Sequence, residues 1–137
     1  SGETTIMDCK TEWQPRVLGL LRIVTALLFM VHGGQKLLGF PPLPEGRSMP
    51  ALFTLLWFAG FLELVGGFLV LIGLFTRPVA FVLSGQMAVA YWMAHAPRSI
   101  YPALNGGDAS ILFCFIFLYL VVAGAGAFSV DGARGKA

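Results

Sequence analysis

A stripe of polar side chains runs along the first long apolar segment of the sequence. Arg22, Thr25, Phe29, His32 and Lys36 recur at intervals of three and four residues, and at about 100° per residue they fall within a sector of roughly 80° on one helix face. On a lipid-facing surface a central Arg or Lys would cost roughly 2.5–3.5 kcal/mol, so the stripe is predicted to face protein or water. The alternative is that its two basic side chains reach opposite membrane interfaces.

A single carboxyl group lies near the middle of the second apolar segment. Glu63 shares a predicted helix face with Ala59, Gly60, Gly66 and Gly67. Small residues allow another helix to approach closely, so the Glu63 side chain is predicted to point into the protein. Such a carboxyl group either holds the helices together, ion-paired or protonated, or it handles protons or a ligand.

Six side chains are candidates for one polar, ligand-binding pocket: His32, Lys36, Glu63, Gln86, Tyr91 and His95. We predict that Lys36 or His32 lies within direct or one-water reach of Glu63, because an unpaired carboxylate at mid-membrane is costly. The alternative for Tyr91, His95 and Asp108 is a role at the membrane interface or in helix capping. No catalytic residue is assigned.

Metal and disulfide chemistry find little support in the residue spacing. The two histidines lie on different segments without an HxxxH or ExxH pair, so no metal site is predicted, and a haem between them would require both at one depth. Cys9 lies in a polar tail and Cys114 in an apolar run, about half a bilayer apart, which argues against a disulfide. Neither belongs to a CxxC pair.

The composition places these residues in a membrane. Hydrophobic residues make up 57% of the 137 residues and charged residues 12%, against roughly 45–50% and about 25% in soluble domains. The sequence therefore predicts one all-α domain, a bundle of four transmembrane helices in contact with the lipid bilayer. The net charge of +2 is scattered rather than clustered with aromatic residues, which excludes nucleic acid as a partner.

The predicted spans are residues 17–39, 51–75, 78–95 and 108–128. Proline- and glycine-rich loops separate the first two and the last two spans, and Asp108 is expected to cap the fourth helix. Residues 1–16 and 129–137 are predicted to be tails, the first partly disordered or lying at the membrane interface.

The distribution of basic residues predicts the orientation in the membrane. The tails and the connection at residues 76–78 carry five basic residues, whereas the opposite loops and span end carry three. By the positive-inside rule, both termini are predicted to be cytoplasmic in a multi-pass protein of the cell (inner or plasma) membrane.

Short motifs spread over residues 20–131 resemble one family of small membrane proteins. They are HGxxKL at His32, the E-x-x-GG of the second span, the Thr76–Arg77 turn, M-x-x-A-Y at Met87, the N-G at Asn105 and a terminal S-x-D at Ser129. Together they resemble the DoxX family of four-helix integral membrane proteins. The resemblance implies association with a quinol oxidase or a thiosulfate:quinone oxidoreductase, and other relatives resemble partners of redox-defence enzymes.

Two functions follow from these observations. In the first, the protein is a subunit of a membrane oxidoreductase, and a quinone, the candidate cofactor, receives hydrogen bonds and protons from His32, Lys36 or Glu63. In the second, it is a non-catalytic accessory or assembly subunit that packs against other membrane subunits or against itself. A small-solute transporter is a third alternative that would require oligomerisation, because four spans do not enclose a path.

Overall fold

Four long helices form the protein. The computed structural model describes the backbone of residues 2–136 and the side chains of residues 11–136. The helices are α1 (Gly2–Leu37), α2 (Leu55–Ile72), α3 (Thr76–Arg98) and α4 (Asp108–Ala123). The first three are long and apolar enough to cross a membrane, and α4 is a shorter apolar helix of 16 residues. The predicted all-α membrane bundle is confirmed.

The first helix begins much earlier than predicted. It is continuous from Gly2, through Pro15, to Leu37, so residues 2–16, expected as a partly disordered or interfacial tail, are helical. This segment contains good helix formers such as Met, Lys, Glu and Gln. The Pro15 carbonyl also gains an external donor, because the Ala127 N–H donates to it at 2.9 Å.

The other helix ends lie within a few residues of the predicted ones and have local causes. The left-handed Gly39 (φ 65°) follows α1, and the left-handed Gly73 (φ 69°) ends α2. The hydroxyl of Thr54 accepts a hydrogen bond from the Trp57 N–H at the start of α2. Asp108 does not cap α4 as expected: Gly107 occupies the cap position and Asp108 is the first helical residue, where its charge still suits the helix dipole.

Two helices contain a single wide π-turn. In α2 it covers Leu62–Gly66, and in α3 it covers Tyr91–His95. π-turns are rare in proteins, and those that occur are often found at functional sites. Here each contains predicted site residues: Glu63 in the first, Tyr91 and His95 in the second.

The helices pack as two pairs. Helix α1 lies along α2, and α3 lies along α4. The pairs meet in a core where the Phe29 ring makes edge contacts with Phe113 (5.3 Å) and Phe117 (4.9 Å). The other buried apolar residues around these rings are Ala26, Val70, Ala80, Leu83, Met87 and Leu120.

The chain leaves α4 earlier than predicted, at Ala123 rather than residue 128. Residues 124–129 are irregular and contain three residues with positive φ, Gly124, Gly126 and Phe128, and a single helical turn, Val130–Ala133, follows. The irregular segment lies against α1, where the backbone of Ala127 is so close to Gly19 that a Cβ there would lie 2.4 Å from the Ala127 oxygen.

Candidate functional site

An ion pair joins α1 to α2. The Nζ of Lys36, in the last turn of α1, lies 2.7 Å from both Oε1 and Oε2 of Glu63. The Glu63 side chain is 4% exposed and the Lys36 side chain 27%. The prediction that Lys36 or His32 reaches Glu63 is therefore confirmed through Lys36.

Glycines allow the two helices to approach closely enough for this contact. A Cβ on Gly33 would lie 2.6 Å from the backbone nitrogen of Leu64, and a Cβ on Gly60 would lie 2.7 Å from Lys36 Cβ. Neither position could hold a larger residue without separation of the helices. Of the glycines predicted around Glu63, Gly60 and Gly67 therefore face α1 as expected, whereas Gly66 faces Leu83 of α3.

The energetics of the pair follow from its uneven burial. The Glu63 side chain is almost completely buried, whereas the Lys36 side chain is partly exposed. A buried pair adds little net stability compared with well-packed apolar residues, but removal of one partner leaves an uncompensated charge that costs roughly 3–5 kcal/mol. With both carboxylate oxygens bonded to the same ammonium, the pair holds the two helices together.

Gln86 connects α3 to the same part of α2. Its Nε2 donates to the carbonyl of Ala59 at 3.2 Å, one turn before Glu63. The Gln86 Oε1 is buried and has no hydrogen-bond partner among the described residues. This oxygen can accept a hydrogen bond from a water molecule or from a ligand.

Tyr91 and His95 organise the loop between α3 and α4 around Asn105. The Asn105 Nδ2 donates to the Tyr91 hydroxyl at 3.3 Å, and the His95 Nδ1 lies 3.1 Å from the Asn105 carbonyl, to which it must donate. The side chain of Asn105 is 1% exposed. Sequence reasoning found Asn105 only as part of a family motif and missed that it is the centre of this network.

His32 is exposed and takes no part in the ion pair. Its ring contacts Phe113 edge-on at 6.2 Å. The helical angles explain this position, because His32 lies at one edge of the polar stripe and Lys36 nearer its centre. The contacts thus divide the six predicted residues into an ion pair, a buried amide, a loop network and an exposed histidine, and their role in ligand binding stays a prediction.

The most buried polar residue of the stripe is Arg22, which the sequence left between two interpretations. It is 0% exposed, so its side chain is enclosed by protein. Its guanidinium donates to the carbonyls of Ala125, Ala127 (3.0 Å) and Phe128 (2.7 Å). Irregular backbone within a membrane protein requires such donors. The Gly- and Ala-rich sequence after α4 was the sequence feature that indicated irregular backbone there.

Asp131 provides the N-terminal cap of α3. Its Oδ1 accepts from the Phe75 N–H at 3.0 Å and its Oδ2 from the Thr76 N–H at 2.9 Å. Burial by itself raises the pKa of the Asp131 carboxyl, but the two N–H donors and the charge of Arg134 lower the pKa below its ordinary value. Asp131 of the terminal S-x-D motif therefore caps a helix that begins 55 residues earlier in the sequence.

Comparisons with known proteins match the bundle described above. A family model described as DoxX matches residues 17–96. A Haemophilus influenzae protein named "Uncharacterized protein" is 41% identical over 128 residues, which cover 91% of this chain and 96% of the relative. The Escherichia coli "Inner membrane protein YphA" is 28% identical over 129 residues, covering 86% of this chain and 90% of the relative. No solved structure matches the chain significantly.

Proposed function

The chain belongs to the DoxX family and is a multi-pass integral membrane protein, and from this premise we propose that it is a non-catalytic accessory subunit of a membrane complex linked to quinone chemistry. The observation that carries the proposal is the closed Lys36–Glu63 pair, with 2.7 Å contacts to both carboxylate oxygens. The buried acid that could have handled protons is occupied in holding two helices together. The link to quinone chemistry rests on what the family resemblance implies.

Other family motifs have equally clear structural roles. The Thr76 N–H is capped by Asp131, Asn105 fixes the loop before α4, and Arg77 donates to the carbonyls of Val121 and Val122 at the end of α4 (3.0 and 2.6 Å). These motifs specify a stable scaffold. A stable scaffold of this kind is suited to support another subunit.

The surface of the bundle is apolar on every helix. Large hydrophobic side chains on all four helices are exposed, among them Leu28, Phe68, Phe81 and Phe115. Lipid covers such a surface in a membrane, and the helices of other subunits pack against the same kind of surface. We therefore expect the partners to be membrane proteins.

A quinone-binding subunit is the second candidate, favoured by one specific observation. His32 is exposed and Lys36 is partly exposed one turn later on α1, while the buried Oε1 of Gln86 lacks a partner among the side chains and backbone that the structure describes. Quinone carbonyls accept hydrogen bonds from donors such as the His32 and Lys36 side chains. A quinol hydroxyl could donate to the Gln86 Oε1. In this alternative the ring would bind from the lipid beside α1.

Three variants separate the two candidates: Lys36→Ala, Glu63→Ala and, as a matched control on the same helix face, His32→Ala. Each is purified gently from membranes, and three quantities are measured: folded protein, co-purifying quinone per chain by mass spectrometry, and assembled complex on native gels. For an accessory subunit, Lys36→Ala and Glu63→Ala should reduce folded protein and complex in the same proportion. His32→Ala should change nothing.

Two results would reject the accessory function. One is about one quinone per chain in the parent protein. The other is a loss of quinone in His32→Ala or Lys36→Ala while the amounts of folded protein and complex stay at the parent level.

We also propose the inner membrane as the location, with both termini cytoplasmic. The end of the bundle that contains the termini exposes Arg16, Arg77, Arg134 and Lys136, whereas the end with the two long loops exposes Arg47 and Arg98. By the positive-inside rule, the end with more exposed basic residues is expected to be cytoplasmic. Labelling of cysteines at positions 45 and 134 from the same side of the membrane would contradict this orientation.

A further inference from the structure

The loop between α3 and α4, residues 99–107, has the polarity of a membrane segment rather than that of a water-exposed loop. Its apolar side chains point outward: Ile100 is 83% exposed, Leu104 75% and Tyr101 65%. Its main polar side chain, Asn105, points inward and is 1% exposed. A loop that faces water normally shows the opposite arrangement.

Part of the backbone of the loop is hydrogen-bonded from within, and internal bonds of this kind favour a segment that is withdrawn from water. Asn105 accepts from the Gly107 N–H (2.8 Å) and donates to the Ser99 carbonyl (2.9 Å). The Tyr101 N–H donates to the Ser99 hydroxyl at 3.2 Å, and the Tyr101 carbonyl accepts from the N–H groups of Leu104 and Asn105. The single helical turn Pro102–Asn105 results from these bonds.

The length of α4 requires that a neighbouring segment also lies within the bilayer. Its 16 residues span only about 24 Å at 1.5 Å per residue, whereas the hydrocarbon core is about 30 Å thick. The chain must therefore enter the bilayer before Asp108 or leave it after Ala123. The backbone after Ala123, bonded by Arg22, and the 99–107 loop before Asp108 are the two segments that can supply the remaining length.

We propose that the 99–107 loop inserts into the interface of the bilayer, with Ile100, Tyr101 and Leu104 in contact with lipid. The exposed side chains of Trp92 (70%) and Met93 (60%) at the end of α3 continue the lipid-facing surface of the helices into this loop. Lipid is therefore the occupant that the surface favours. An aromatic side chain such as Tyr101 is typical of this depth.

The other long loop provides a contrast at the same end of the bundle. Its tip carries three exposed residues, Glu45, Arg47 and Ser48. The charged side chains of Glu45 and Arg47 stay in water. The tip of the first loop is therefore expected to lie outside the membrane, while the 99–107 loop lies in it.

Site-directed spin labelling of the full-length chain in lipid nanodiscs tests the proposal. Nitroxides are attached to Ile100→Cys and Leu104→Cys, and to Ser48→Cys as the control, in a background that carries Cys9→Ser and Cys114→Ser. Elution as folded protein is required of each variant, and the exposure of all three labelled positions makes that outcome the expected one. Power saturation then compares collisions with oxygen, which partitions into lipid, and with a water-soluble nickel chelate.

The logarithm of the oxygen-to-nickel ratio is expected to be positive at positions 100 and 104 and negative at position 48. A negative value at all three positions would overturn the proposal, because the loop would then lie in water. Low accessibility to both reagents at positions 100 and 104 would also overturn it, because a second copy of the chain or another protein would then cover the loop.

Discussion

Replacing only one residue of the Lys36–Glu63 pair should destabilise the protein more than replacing both. We consider Lys36→Met, Glu63→Leu and the double variant. Each single change leaves one charge without its partner, whereas the double change leaves apolar side chains between two closely packed helices. Replacement of a buried ion pair by apolar residues of similar volume is often neutral or stabilising.

The uneven burial of the pair sets the relative size of the two single effects. Lys36→Met leaves the Glu63 carboxylate 4% exposed and unpaired, at a cost of roughly 3–5 kcal/mol. Glu63→Leu leaves the Lys36 ammonium, which is 27% exposed and can turn to water, so we expect about 1–3 kcal/mol. The double variant should lie within about 1 kcal/mol of the parent, which gives a coupling energy of at least about 3 kcal/mol. Glu63→Gln should lose less than Glu63→Leu, because its amide oxygen still accepts from Lys36.

The free energy of unfolding in mixed micelles, followed by tryptophan fluorescence, measures these differences. His32→Ala is the control, since that exposed side chain on the same helix should contribute less than about 0.5 kcal/mol. A double variant no more stable than Lys36→Met alone would refute the reasoning. A larger loss in Glu63→Leu than in Lys36→Met would show that the burial of the two groups had been assigned the wrong way round.

Three further predictions concern the segment after α4 and its neighbours. Arg22→Leu should cost more than about 3 kcal/mol, measured in the same unfolding assay, because three carbonyls lose their donor. The lowered pKa of Asp131 means that its contribution is present above its unfolded pKa of about 3.9 and is lost as the pH falls through the lower folded value. An unfolding titration of Asp131→Asn should therefore lack this acid-induced loss. Gly73→Ala should lower the melting temperature far more than Gly46→Ala: both residues have positive φ, but a Cβ on Gly73 would lie 2.3 Å from Ser129 Cβ, whereas one on Gly46 would meet nothing within 4 Å.

Sequence reasoning found the Lys36–Glu63 pair because its signals are local. The burial of Glu63 followed from the small residues around it on one helix face, and the cost of an unpaired mid-membrane acid required a cation nearby. Helical spacing on α1 then limited the candidates to His32 and Lys36. The same spacing placed His32 within the stripe, but a sector of about 80° does not show which of its edges a neighbouring helix covers. The choice between His32 and Lys36 therefore depended on how α2 packs against α1.

The extent of the helices was determined by the sequence only in part. Apolar length and proline-rich loops were sufficient for four spans and for their order, because a membrane allows few other arrangements. Helix α1 extends back to Gly2, through polar residues and a proline that give no hydrophobic signal. The fourth span ends at Ala123 because Gly124 turns the chain, although the apolar composition continues for five more residues.

The sequence by itself determined that this chain is an apolar four-helix membrane protein with one buried acid, since composition, periodicity and the cost of charge in lipid act on each segment separately. Only the tertiary structure decided the partners of Arg22, Asn105 and Asp131. Arg22 and Asp131 bond to backbone groups more than 50 residues away. Asn105 binds groups that the turn of its own loop brings around it. Backbone donors and acceptors are the same at every residue, so no pattern of side chains marks which of them will meet a given charge. The folded chain selects them by bringing an irregular segment against a helix.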